Sequence, residues 1–228
     1  MSDAPKQQLA LNITLPADYS EDNFIIAPCN TEAYMWLMQW PSWPTHVVSV
    51  YGEQGCGKSH LANIWQQKCG AKLITSKTMG HFHPADIVQQ SKAFLIDMQP
   101  EKIAEDWLFH FYNHLKDSRG YLLICSRMPP GQWPIQLPDL RSRLRSIFCL
   151  PVLPPDDRAI SKILTKSLQE KGIEVKKDII TFLVNRCQRS FSGIYRLAQA
   201  IDCFTLEHKR PLTMSVARSV LELLDRSE

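Results

Sequence analysis

Along this chain, short unbroken apolar runs alternate with longer segments whose apolar positions recur every three or four residues. Residues 47–51, 72–76, 93–97, 121–126 and 147–150 are such runs, each too short for a buried helix and rich in branched side chains, and they predict five strands covered on both faces. Strands spaced by helix-like segments predict an α/β fold with a parallel five-stranded sheet and helices on both of its faces. Residues 30–40 open at an asparagine or threonine cap and run up to Pro41, which predicts a helix ahead of the first strand. After residues 151–155, three of which are proline, the pattern becomes helical only, over 156–171, 176–187, 192–207 and 213–224. A boundary is therefore expected near residue 153. It separates an α/β domain over 21–153 from a small all-helical domain over 154–228, with a polar arm over 1–20 in front.

Composition narrows the class. The 228 residues are 44% hydrophobic and 21% charged, enough apolar content for a sizeable core. The 26 Lys and Arg against 23 Asp and Glu leave a net charge of +3, far from the basic footprint of a dedicated nucleic-acid binder, so direct sequence-specific DNA binding is not expected. No apolar run approaches the roughly 20 residues of a membrane span. The N-terminus lacks the basic stretch and apolar run of a secretory signal. Seven cysteines without a Cys-x-x-Cys pair read as reduced thiols of a cytoplasmic protein, and the histidines at 81, 83, 110 and 114 read as surface or packing residues, with no metal expected beyond Mg²⁺.

One motif carries chemistry. Gly52-Glu53-Gln54-Gly55-Cys56-Gly57-Lys58-Ser59 fits the phosphate-loop pattern and lies between a predicted strand and a helix beginning at His60, the order its mechanism requires. Gly52, Gly55 and Gly57 let the backbone turn so that successive amides face phosphate oxygens, with Gln54, Cys56 and His60 beside them. Lys58 is placed for the terminal phosphates and Ser59 for Mg²⁺; the expected ligand is ADP or ATP. Such a site needs a strand-end carboxylate for Mg²⁺, which Asp97 supplies. The next position is Met98, where a second acid would act as the base for water, and a thioether cannot take that proton. Ser126, at the end of the fourth strand, is a candidate sensor of the terminal phosphate or a plain strand cap.

The order of phosphate loop, single strand-end acid, Leu137-Pro138-Asp139-Leu140-Arg141-Ser142-Arg143-Leu144 and all-helical lid resembles an AAA+ ATPase module. Within that class, residues 21–30 and 51–61 are similar to the replication initiator family DnaA, and the likeness spans about residues 20–225. The sequence stops at Glu228, so the separate DNA-binding domain of that family is not expected, and the chain resembles the DnaA-related regulators of the Hda family. That resemblance implies a protein that docks on the DNA polymerase III sliding clamp and promotes hydrolysis of DnaA-bound ATP. Gln8-Leu9-Ala10-Leu11-Asn12-Ile13 looks like the family's clamp-binding peptide, with Gln8 at a groove rim and Leu9, Leu11 and Ile13 filling an apolar pocket. Arg143 falls where the family's trans-acting arginine sits. The resemblance implies that the lid arginine that touches the nucleotide in hydrolysing relatives is replaced by Ser192, so that either the contact is lost or Arg196, one turn later, substitutes.

Met98 and Ser192 together put intrinsic hydrolysis in question and favour a nucleotide held as a structural or regulatory ligand. Two other readings compete. An active ATPase of the helicase-loader type would carry the second acid and the lid arginine. A small-molecule phosphotransferase would need an acceptor pocket where the helical segment stands. The resemblance also leaves open a homodimer that hides Arg143.

Overall fold

The computed structural model describes Glu21, residues 24–97 and residues 103–226. The predicted arm, with Gln8, Leu9, Leu11 and Ile13, and also Met98, lie outside the described residues. The chain divides into two compact units, one formed by Tyr19–Pro154 and one containing Pro155–Glu228.

The first unit is built on five strands, β1 (Val47–Tyr51), β2 (Lys72–Ile74), β3 (Ala93–Asp97), β4 (Tyr121–Ser126) and β5 (Phe148–Pro151). They pair in the order β2-β3-β4-β1-β5, every pair parallel. Helix α1 (Thr31–Met38) precedes the sheet, and α2 (Lys58–Cys69) follows β1. Between β2 and β3 come α3 (Ser76–His81) and α4 (Pro84–Val88), then α5 (Glu105–Asp117) before β4 and α6 (Pro138–Arg145) before β5.

Alternation along the strands sorts the core into two layers. Phe94 and Ile96 of β3 and Leu122 and Ile124 of β4 face Leu108, Phe111 and Leu115 of α5 and Leu140 and Leu144 of α6. Their strand neighbours Ala93, Leu95, Leu123 and Cys125 face the other way, into a layer with Val48 and Val50 of β1, Leu37 of α1 and Leu61 and Trp65 of α2. Burial on both faces is why these strands read as continuous apolar runs.

The structure shortens the second predicted strand. Thr75 accepts a hydrogen bond from the Thr78 amide at 3.2 Å and closes a capping box, so Ser76 opens α3 and does not continue β2. At the other edge, β5 ends on Pro151, which is tolerated because an edge strand need not donate on its outer side.

The second unit is helical: α7 (Asp157–Glu170), α8 (Lys177–Val184), α9 (Phe191–His208) and α10 (Met214–Asp225). Three starts are capped by side chains, Asp156 accepting from the Ala159 amide, Ser190 from Gly193 and Thr213 from Val216. Its core joins Ile160, Ile163 and Leu164 of α7, Leu183 of α8, Ile194, Leu197 and Ile201 of α9 and Val220 of α10, at the three-and-four spacing of helices with one buried stripe.

Candidate functional site

The strand order places β1 between β4 and β5, with β3 outside β4, so the C-terminal ends of β3, β4 and β1 adjoin. In register, Asp97 stands beside Cys125 and Ser126 beside Tyr51. The phosphate loop leaves the sheet at that edge. Crevices at the C-terminal ends of parallel strands are where α/β folds bind ligands.

Gly52 begins the loop with its amide donating to the Ser126 carbonyl at 3.3 Å and φ of 155°; a β-carbon there would lie 2.1 Å from the Val152 carbonyl oxygen. Only glycine fits. Gly55 and Gly57 follow with φ of 79° and 97°, the left-handed turns that tip backbone amides inward. Gly57 caps α2 without any side chain, and the first turn of α2 carries no acid, so neither the cap nor a carboxylate of that turn competes with an anion for the amides at the helix start.

Lys58 lies across the loop. It is 9% exposed, and its Nζ donates to the Glu53 carbonyl at 2.7 Å and sits 3.6 Å from the Cys56 sulfur. Asp97 is exposed at the end of β3. The buried Cys125 thiol registers both charges: burial first pushes its pKa well up, the Asp97 carboxylate pushes it further, and the Lys58 ammonium opposes them. A carboxylate and an ammonium thus flank the end of β4, the charge pattern of a metal–phosphate site. Residues Ser59 and Asp97, on adjoining elements, have the hard oxygen donors Mg²⁺ takes. Ser126 is 5% exposed, and its hydroxyl donates to the Met128 carbonyl at 2.6 Å, so it must turn to donate to a ligand.

Two features here were not legible in the sequence. Arg127, exposed and one residue past β4, donates to the Gln54 side-chain carbonyl at 2.8 Å, bridging the loop to the strand end. Beside α2, the Phe24 ring packs edge-on to His60 with centroids 5.1 Å apart and stacks on Tyr34 at 5.6 Å, while the Tyr34 hydroxyl donates to Glu21. No spacing rule joins these aromatic residues to the loop; the fold does.

Arg143 belongs to α6, with Arg141 and Arg145 exposed beside it. Its guanidinium stacks over Phe109 at 4.5 Å and Tyr112 at 5.6 Å from the ring centres, and donates to the side-chain carbonyl of Asn113. All three partners lie on α5. Burial holds the Tyr112 phenol above its usual range, and the Arg143 charge pulls it part of the way back. In the second unit, Ser192 is exposed at the start of α9 with its hydroxyl 3.3 Å from that of Ser190, and Arg196 donates to Gln188 at 2.9 Å.

Comparison with known proteins agrees with this architecture. Residues 156–221 match the family described as Hda, lid domain. A protein of Haemophilus influenzae, itself uncharacterised, is 27% identical over 76% of this chain and 80% of its own length. Domain III of the Thermotoga maritima replication initiation protein DnaA superposes with a TM-score of 0.75 at 21% identity, over 91% of this chain and 97% of that one. AMPPCP-bound DnaA from Aquifex aeolicus gives 0.65 at 21% identity over 79% and 63%, and a variant of Thermotoga maritima RuvB gives 0.69 at 16% over 90% and 72%. The five-stranded parallel sheet followed by a helical unit has the AAA+ fold. Within that fold, residues 156–221 match the lid of the Hda family.

Proposed function

We propose that this protein regulates the start of DNA replication by docking on the DNA polymerase III sliding clamp through Gln8, Leu9, Leu11 and Ile13 and lending Arg143 to ATP held by DnaA. A guanidinium set against another subunit's ATP stabilises the charge that develops on the transferred phosphoryl, and it accelerates hydrolysis without this chain hydrolysing anything itself. The chain's own phosphate loop holds ADP or ATP with Mg²⁺ as a structural or regulatory ligand. Gly52, Gly55 and Gly57 shape the cradle, Lys58 neutralises the phosphates, and Ser59 and Asp97 supply oxygen donors to Mg²⁺. DnaA, the clamp and a second copy of the chain are the partners in this reading, and the cytoplasm is where they meet; among the described residues no helix is long and apolar enough to cross a membrane.

The observation that carries the proposal is Arg143 held by three α5 side chains, oriented by ring faces and an amide, with no acid paired to it among the described residues. A guanidinium positioned this way keeps its charge available to an incoming anion. The match of residues 156–221 to the Hda lid supports the choice of partner. The test is phosphate release from purified DnaA–ATP, with and without this protein and DNA-loaded clamp. Stimulation that needs both is the expected outcome; no stimulation under any combination overturns the proposal.

A further inference from the structure

We propose that the edge of the sheet opposite the phosphate loop, where the parallel strands begin, binds the sugar-phosphate backbone of double-stranded DNA without regard to sequence. This is independent of the readings of Arg143 and of the nucleotide site. The helix ends and loops that lead into β1, β2, β3 and β4 comprise residues 39–46, 66–72, 89–92 and 114–120. They carry Lys68, Lys72, Lys92, Lys116 and Arg119 against one acid, Asp117. A net charge of +3 over the whole chain conceals this local excess. Lys68, Lys92, Lys116 and Arg119 are exposed. Hydrogen bonds tie the segments together: Lys92 donates to the Ser118 carbonyl at 3.1 Å, Lys68 to the Met38 carbonyl at 3.0 Å and Lys72 to the side-chain carbonyl of Gln90. All three acceptors are neutral, so the ammonium charges are not cancelled. The ion pairs found among the described residues lie in the second unit.

Helix ends account for only part of this charge. Lys68 and Lys116 stand in the last turns of α2 and α5, where a cation offsets the helix dipole. Lys72, Lys92 and Arg119 lie beyond those helices, on or just before the strand starts. In the order β2-β3-β4-β1 these three and His46 follow one another along the edge. Adjacent strands are about 4.8 Å apart, so the row is about 14 Å long. Each strand of a duplex carries a charge about every 3.4 Å of helix axis, so a row of that length lies along roughly four phosphates. Beside Lys92 opens a groove of about 470 Å³ lined by Gln89, Gln90, Ser91, His114 and Asp117, most of them side chains of the kind that donate to phosphate and sugar oxygens. A single strand would need free rings to stack its bases on. The rings of this edge are occupied with one another: Trp43 stacks on Trp65 with centroids 5.2 Å apart, and Tyr121 meets Trp40 and Trp43 edge-on. A line of cations with neutral donors and no free ring fits a duplex backbone.

Fluorescence anisotropy of a labelled duplex of arbitrary sequence, titrated with the full chain over a range of salt, tests this. Affinity is expected to fall as salt rises with a log–log slope of about −3, the release of counterions from three or four phosphates. Lys92→Glu combined with Arg119→Glu is expected to weaken binding by about tenfold or more and to flatten that slope by about 2. Lys92→Gln with Arg119→Gln removes the charge without reversing it and is expected to flatten the slope equally. Both positions are exposed, so the variants are expected to melt with the parent, and their melting curves are recorded alongside. Lys176→Glu with Lys177→Glu, the same reversal at exposed positions of the second unit, is expected to weaken binding by no more than about twofold. An equal loss there makes the attraction diffuse and overturns the proposal. Displacement of the duplex by Mg²⁺–ADP would put DNA at the phosphate loop. Displacement by polyglutamate as readily as by unlabelled duplex would make the edge a docking face for an acidic protein. Either result overturns the proposal, as does the absence of binding at low salt.

Discussion

The Arg143 guanidinium lies 4.5 Å from the centre of the Phe109 ring and at the same time donates to the side-chain carbonyl of Asn113, one helical turn further along α5. A ring face and an amide each attract the cation without neutralising it, in contrast to a carboxylate partner. The side chain is aimed by its own protein and left with its charge.

Loss of the charge and loss of the aim have different signatures. Arg143→Ala is expected to abolish stimulation of DnaA–ATP hydrolysis, a fall on the order of 10³-fold, and lysine is expected to rescue poorly because it lacks the planar fork. Phe109→Ala and Asn113→Ala keep the guanidinium and let it wander, so about a tenfold loss is expected. Clamp and nucleotide binding stay intact in all three. If Arg141→Ala, Arg143→Ala and Arg145→Ala are all silent in the assay, no arginine of α6 acts in trans.

For the arm, replacing Gln8, Leu9 and Leu11 with alanine is expected to remove clamp binding while the melting temperature is unchanged, since the proposed peptide anchors through Gln8 and its alternating apolar side chains and precedes the core. Surface-immobilised clamp reads this directly, and an unaltered affinity rejects the peptide.

Lys58→Ala is expected to lose the thermal stabilisation that saturating ADP gives the parent, because a ligand that binds only the folded state stabilises by mass action, about 2.7 kcal/mol at a hundredfold excess over Kd. Calorimetric melts with and without ADP decide it. Brisk ATP turnover by the isolated parent would instead move the protein into the motor class.

Gly52→Ala is expected to be worse than Lys58→Ala. A β-carbon 2.1 Å from the Val152 carbonyl oxygen meets backbone, which has no rotamer to escape into. With φ of 155° the strain adds to the clash, so a loss of about 2 kcal/mol or more of stability is expected, read by denaturant unfolding.

Alkaline pH provides a further check. Burial pushes the Cys69 thiol from its ordinary 9 to about 11. Between those values the unfolded chain gives up this proton and the folded one keeps it, so this contribution to stability is complete below pH 9 and is lost as pH rises toward 11. The stability difference between the parent and Cys69→Ala is therefore expected to shrink across that window, and a constant difference would contradict it.

Much of the sheet can be read from the chain because a parallel strand covered on both faces has no polar side to show: 93–97 and 121–126 announce themselves as runs. Residue 76 misleads because Thr75 looks like a strand residue until its hydroxyl finds the Thr78 amide. The short helices α3 and α4, of six and five residues, are too brief to display a period. The phosphate loop is legible because consecutive residues do its work. Arg127 is not, since its partner Gln54 is 73 residues away and a lone arginine after a strand has no pattern. The Phe24–His60–Tyr34 group and the α5 seat of Arg143 are hidden for the same reason: each is a contact made by the fold between segments with no mutual spacing.

The burial of Lys58 has a consequence for ionic strength. A charge 9% exposed and facing a carbonyl is little screened by mobile ions, whereas the exposed guanidinium of Arg127 lies within reach of the ionic atmosphere, whose screening length is about 8 Å at physiological salt. Added salt then acts selectively. In the proposed nucleotide site, the attraction of Lys58 for phosphate is expected to outlast added salt that weakens contacts made by exposed cations.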